Sequence, residues 1–179
     1  KGLLPVVMKL RAMGQSVRLI ADGASVQSVR DMMEDFEVLG TPEEALVNQE
    51  LPKIIITTMC SDGGIGRDLA RMLKNGPTTA VVALQDYWGG GLTDEWVGVR
   101  PDYICVNDEL AKKITLESWP GFDSSKVVVS GYPALDRFAG RDTKVLAKEA
   151  KDILKLPENM PIVLFGGVLE STGHATDEL

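Results

Sequence analysis

The stretch Ile54 to Met59 reads IIITTM, an unbroken run of apolar and β-branched side chains. A strand with one face in water alternates apolar and polar residues. A run without that alternation suits a strand buried on both faces, the normal situation in a parallel sheet covered by helices. The pattern recurs as TAVVAL at 79–84 and YICV at 103–106, with shorter apolar runs at 17–21, 38–40, 127–130 and 162–165. Segments of helical period lie between these runs. Leu3, Leu4, Val7, Met8, Leu10 and Met13 share one helical face, and Gly14 is a good C-terminal stop. Residues 25–36 place Val26, Val29, Met32 and Met33 on one side. Thr41-Pro42-Glu43-Glu44 reads as a helix start, with Thr as cap, Pro in the first turn and acids near the positive end of the dipole. A Gly-rich turn after Met59 enters a helix that stops at Gly76. Asp108 caps a helix running to about Trp119, and another spans 143–156. Residues 85–100 form an irregular loop with room for one helical turn.

Strands that alternate with helices predict an α/β fold, a doubly wound, Rossmann-like parallel sheet. In that fold the first strand is usually central, yet this pattern opens on a helix. A strand upstream of Lys1 is therefore expected, because a missing central strand would leave two unpaired edges. At the other end, the run 162–165 reads as the first strand of a second domain. The domains expected are 1–139, and 140–179 as a connecting helix with the start of that second domain.

Composition narrows the partners. Apolar residues make up 44% and charged residues 25%, enough for a real core. The net charge is −7 and no basic block occurs, so nucleic acid is not an expected partner. Lys9 and Arg11 break the apolar N-terminal segment, which is unsuited to a membrane span or signal peptide. Cys60 and Cys105 form no CxxC pair and the chain has one histidine, so no metal site is expected. A reduced, cytoplasmic compartment is the simplest expectation.

Ligands of open α/β sheets bind outside the carboxyl ends of the strands. SDGGIGRD, which begins at Ser61 and Asp62, follows a strand and opens a helix. Exposed amides there suit an anion, or the segment is a tight turn and no more. QDYWGGG, at 85–91, sets Tyr87 and Trp88 beside three glycines beginning at Gly89. Aromatics offer a platform for a sugar face, and glycines let a ligand approach the backbone. Asp86 is a candidate hydrogen-bond acceptor or general base. Alternatively, both aromatics simply pack the loop down. Asp108 and Glu109 read as helix-capping residues. His174, after a Gly-rich stretch, is either a phosphate or sugar contact or an ordinary exposed histidine. No Ser/His/Asp nucleophile set is visible.

The stretch RPDYICVNDELAKKITLESWPGFDSSKVVVSGYPALDRF resembles the last third of the N-terminal domain of GT-B-type glycosyltransferases. It is most similar to the branch near UDP-N-acetylglucosamine 2-epimerases and lipid-A-disaccharide-synthase-like enzymes. In that group a D-x-hydrophobic strand, here from Asp102, leads to an acid-capped helix, here from Asp108. A V-x-V-x-G-x-P strand, here ending at Gly131 and Pro133, then leads to a short helix bearing Asp136. KGLLPVVMKLRAMGQSVRLIADG is similar to the family's first helix and second strand, and PIVLFGG to the first strand of its nucleotide-sugar-binding domain.

The resemblance implies a two-domain enzyme with ligands in the cleft between the domains. Asp86, Tyr87 and Trp88 would face it on the acceptor side, and Gly131 and Pro133 would shape its floor. Gly166, Gly167 and His174 would approach the donor diphosphate. The reaction implied moves a sugar from a nucleotide diphosphate, UDP-linked by resemblance, to a hydroxyl of a sugar or lipid acceptor. No separate cofactor or metal is implied, and no DxD motif occurs. The epimerases in that group are commonly homodimers. Two other classes stay open, epimerase-like chemistry and a non-catalytic ligand- or partner-binding domain. A dinucleotide-dependent oxidoreductase is weaker, since no G-x-G-x-x-G fingerprint follows any strand.

Overall fold

A computed structural model of the chain describes residues 3–21, 23–32, 38–39, 41, 51–59, 64–74, 79–90, 92, 96 and 98–157. The helix start read at Thr41–Glu44 falls mostly outside the described residues, as does the run 162–165. The chain divides into two compact units, Lys1–Arg137 and Phe138–Leu179.

The first unit alternates helix and strand in chain order. Helix α1 spans Leu4–Ala12, strand β1 Leu19–Ile20, α2 Gly23–Met32 and β2 Val38–Leu39. Strand β3 spans Ile54–Met59, α3 Gly64–Leu73, β4 Ala80–Gln85, β5 Tyr103–Val106, α4 Glu109–Ser118 and β6 Val127–Val129. All pairing among the described residues is parallel. Strands β1 and β2 form one two-stranded sheet, and β3-β4-β5-β6 form a four-stranded sheet in that order. This is the expected Rossmann-like α/β architecture. In the second unit, α5 covers Thr143–Leu154, capped by the Asp142 carboxylate on the Lys144 amide and closed by Lys155 in the left-handed conformation.

Burial departs from one expectation. Ile54–Met59 is not sealed on both faces, since its residues alternate, with Ile55, Thr57 and Met59 buried and Ile54 56% exposed. The register explains this. Ile55 pairs with Val81 and Thr57 with Ala83, and Ala83 in turn pairs with Ile104, which pairs with Val127. All six are buried and lie on one sheet face. Helix α3 packs on that face through Ala70 and Leu73, and α4 through Ala111. The residues between them in register, such as Ile56, Val82 and Cys105, point to the opposite face and stay partly accessible.

Two sequence details set the helices close to this face. Gly66 brings α3 against β3 so tightly that a Cβ on it would stand 1.8 Å from Thr57 Oγ1. Asp108 caps α4 by accepting from the Ala111 amide at 2.8 Å. Asp102, the acid of the D-x-hydrophobic strand, is an anchor of the sheet. Its carboxylate accepts from the Val81 amide at 2.8 Å, and its own amide donates to the Val81 carbonyl at 2.8 Å.

Candidate functional site

The carboxyl ends of β4, β5 and β6 bring three loops to one edge of the sheet. Leu84 pairs with Cys105 and Val106 with Val129, and the Ser130 amide extends the last pairing by donating to the Val106 carbonyl. Asp86, Asn107 and Ser130 therefore leave the sheet side by side.

The β4 loop is a tight turn. The Gly90 amide donates to the Tyr87 carbonyl at 3.0 Å, and Gly89 sits at φ +74. A positive φ at the third turn residue demands glycine or a close substitute. Gly90 has a different constraint. A Cβ there would lie 2.8 Å from Asp86 Oδ1 and 3.1 Å from the Tyr87 ring and carbonyl. The two glycines thus let Asp86 and Tyr87 fold over the turn while Trp88 projects from its tip.

Trp88 does not hang free. Its indole N–H donates to both carboxylate oxygens of Asp108, at 2.9 and 3.0 Å. The same carboxylate caps α4, so one acid fixes a helix start and an aromatic ring from the neighbouring strand. The Ala111 amide, with the Trp88 indole and the Leu110 amide, holds the Asp108 carboxyl below its ordinary 3.8, against some desolvation. A depressed pKa means the latch stabilises above the ordinary carboxylate range and is lost as pH falls through the folded value. The expectation is a Trp88 environment that is constant by fluorescence from neutral pH down to about 4 and changes only in more acid solution. Asp108→Ala is expected to shift the Trp88 emission at neutral pH and lower the melting temperature slightly, through loss of the cap.

Despite this anchoring Trp88 is 53% exposed and Tyr87 47%. Neither ring is packed into the core. The adjoining strand ends of β4 and β5 carry polar atoms without donors. Gln85 Oε1, Asp86 Oδ1 and Asn107 Oδ1 are buried with no hydrogen-bond partner among the described residues. The Gln85 carboxamide is otherwise engaged, donating to Thr115 Oγ1 at 2.9 Å, and that hydroxyl donates to the Ala111 carbonyl. Buried acceptors ordinarily find a donor, so orphans at a strand end mark a place for water or a ligand hydroxyl.

Asp86, Tyr87, Trp88 and Gly89 are therefore grouped, and they are joined to Asp108, which reads from sequence as a cap and nothing more. Gly131, at φ +74, and Pro133, which opens a 3₁₀ turn, sit at the same edge two strands from β4, roughly 10 Å away. Ser61, Asp62, Gly166, Gly167 and His174 lie outside the described residues. Asn107 and Gln85 carry no sequence signal of their own. Only their place immediately after or at the end of a buried strand could have singled them out.

A shallow depression on the outer face of α4 is lined by Glu109, Lys112, Lys113, Leu116 and Glu117. Its Lys113–Glu117 pair, at 3.8 Å, is an ordinary solvated helix-face contact. Among the described residues no group of three or more His, Cys, Asp or Glu could hold a metal ion, and no helix is long and apolar enough to cross a membrane.

The chain matches no protein-family model, no curated protein and no solved structure, so the assignment that stands is an α/β domain with a four-stranded parallel sheet.

Proposed function

We propose that this chain carries the acceptor side of a nucleotide-sugar-dependent glycosyltransferase of GT-B type. The observation that supports it most is the half-exposed Trp88, pinned by Asp108 beside Asp86 at the carboxyl edge of a parallel sheet. A fixed aromatic face next to a carboxyl group and unpartnered amide oxygens is the chemistry that binds a polyhydroxylated ligand. The ring covers the apolar side of a sugar and the oxygens accept from its hydroxyls. Fold alone would not carry the reading, because parallel α/β sheets host many activities.

In the reaction, Asp86 takes the proton of the acceptor hydroxyl as that oxygen attacks the anomeric carbon of the donor sugar. The bond from that carbon to the diphosphate oxygen breaks, and the nucleoside diphosphate leaves with the electron pair. Donor contacts belong to Gly166, Gly167 and His174 in this reading, which takes backbone N–H groups to stabilise the diphosphate.

Calorimetric titration of the intact protein with UDP- and CDP-sugars tests the proposal. Micromolar binding of one donor is expected. Absence of heat with every nucleotide sugar points instead to a non-catalytic binding domain. Asp86→Ala is expected to lower turnover about 100-fold, the scale of general-base catalysis, with the melting temperature nearly unchanged. A large fall in melting temperature makes Asp86 structural.

A further inference from the structure

The carboxyl ends of β4, β5 and β6 are acidic and rich in acceptors. Residues 85–90, 107–110 and 130–133, which follow those strands, include three carboxylates, Asp86, Asp108 and Glu109, and no lysine, arginine or histidine. Lys112 and Lys113 stand further along α4, in the depression on its outer face. Gln85 Oε1, Asp86 Oδ1 and Asn107 Oδ1, the buried polar atoms without partners at this edge among the described residues, are all acceptors. The unpartnered donor, Trp119 Nε1, belongs to the core at the other end of α4. Asp86 is partly accessible and has no ion pair among the described residues.

Such an edge selects a ligand by hydrogen-bond valence and by charge. A phosphate or carboxylate brings acceptors and negative charge, and both oppose it. A hydroxyl brings one donor and no charge. A protonated amine brings three donors, no acceptor and a charge opposite to that of Asp86. The rings fit the same ligand. Tyr87 and Trp88 are half-exposed. A Cβ on Gly90 would stand 2.8 Å from Asp86 Oδ1 and 3.1 Å from Tyr87 Cε1. The carboxylate and the ring edge therefore lie within about 6 Å of each other, the reach of a cation over an aromatic face. Trp88, tied to Asp108, sets a second ring and a second carboxylate beside them. A carboxylate among aromatic faces holds an ammonium group by charge-assisted hydrogen bonds and by the ring quadrupoles. A neutral sugar uses the rings and leaves the carboxylate charge unpaired.

We infer that this edge takes a protonated primary amine beside Asp86, Tyr87 and Trp88, and that the acceptor is an amino sugar whose free amine neighbours the reacting hydroxyl. In such a sugar the amine and the hydroxyl sit on adjacent carbons, close enough for one carboxylate to touch both. The same charge pattern separates the two substrates, since three carboxylates without a cation repel the diphosphate of the donor. The amino-sugar assignment rests on the sugar-transfer reading, whereas recognition of the amine does not.

Titration of the intact ¹⁵N-labelled protein tests both parts. The ligands are D-glucosamine, D-glucose, N-acetyl-D-glucosamine and methylammonium chloride, at constant ionic strength and about pH 6.5, below the range of α-amino groups. The readout is the Trp88 indole N–H signal, identified by its loss in Trp88→Phe. Glucosamine is expected to bind at least about 10-fold tighter than either neutral sugar, the scale of a hydrogen bond to a charged group. Asp86→Asn should remove that advantage and leave glucose binding nearly unchanged. Tyr87→Leu should weaken glucosamine by about 2–5-fold, the scale of an exposed cation–π contact, and it reports on the site even if the Asp86 variant fails to fold. Glucosamine no tighter than glucose overturns the amine and leaves a sugar site standing. Methylammonium binding without any sugar binding keeps the amine and overturns the amino-sugar acceptor. A preference that persists in folded Asp86→Asn overturns the placement of the amine at Asp86. No shift with any of the four overturns the inference outright, and the donor titration then decides separately whether the glycosyltransferase reading survives.

Discussion

Trp119→Ala is expected to destabilise the first unit by about 3–5 kcal/mol, the usual cost of emptying a buried tryptophan site. Trp119 is 1% exposed and belongs to the cluster formed with Met59, Ala83, Trp96, Ile104, Val106, Ala111 and Val127. Its ring lies 5.8 Å from Phe122 at a tilt of 56°, and the Arg100 guanidinium sits 5.5 Å from its centroid. Truncation removes the ring contacts, leaves a cavity between α4 and the sheet, and deprives Arg100 of its aromatic partner. At about 2–4 °C per kcal/mol for a protein of this size, the melting temperature should fall by roughly 10 °C. Trp119→Phe should behave differently. The Trp119 Nε1 is buried without a partner among the described residues, so the ring carries an unsatisfied donor there. Phenylalanine keeps most of the apolar area and removes that donor, which offsets part of the lost volume. A cost below about 1.5 kcal/mol is expected for it. Thermal or urea denaturation of the two variants checks the pair. Equal losses would mean that the indole N–H has a role in holding the core.

The second large effect is expected at Gly66→Ala, about 3 kcal/mol of destabilisation, at the upper end of the overpacking range. The added methyl would fall 1.8 Å from Thr57 Oγ1 and 3.0 Å from Thr57 Cβ. Thr57 cannot swing clear as a lysine tip could. It is a short, β-branched side chain, 6% exposed, on a strand paired to β4, and its hydroxyl donates to the Thr58 carbonyl at 3.3 Å. Relief requires α3 to move away from the sheet, which opens the contact of Ala70 and Leu73 with Ile55 and Val81. Helix propensity runs the other way, since alanine is better than glycine in a helix by up to about 1 kcal/mol. The measured sign therefore decides whether packing or propensity governs this helix. In Thr57→Ala the clashing hydroxyl is gone, and Gly66→Ala in that background should cost much less than in the native chain. A denaturation double-mutant cycle reads that coupling directly. Additive losses would show that the close approach is not what constrains Gly66.

These two sites mark the boundary between what is legible in one dimension and what is not. Ile54–Met59 and Tyr103–Val106 can be placed from sequence residue for residue, because unbroken runs of β-branched and apolar side chains leave no competing period. Strand β4 is shifted by one residue, to Ala80–Gln85, because a buried amide sits where a polar residue reads as loop. Gln85 is tolerated there by its bond to Thr115, a partner 30 residues away. Strand β1 covers less than the apolar run around it, since a strand extends only as far as its partner does. The Asp108 and Asp142 caps are legible, because a cap is a contact within a few residues.

By itself the sequence determined the alternation of strand and helix, and with it the parallel α/β class. Those follow from local period and local hydrogen bonding. It also singled out the aromatic, glycine-rich segment after β4, since strand ends carry ligands in this class. The tertiary structure alone decided which side chains meet there. Trp88 and Asp108 are 20 residues apart and are joined only because β4 and β5 are neighbours in the sheet. It alone decided that α3 and α4 cover one sheet face, and that β3, an interior strand by composition, ends the four-stranded sheet among the described residues. Contacts of that kind depend on register and strand order, which loop closure and packing set and no local pattern encodes.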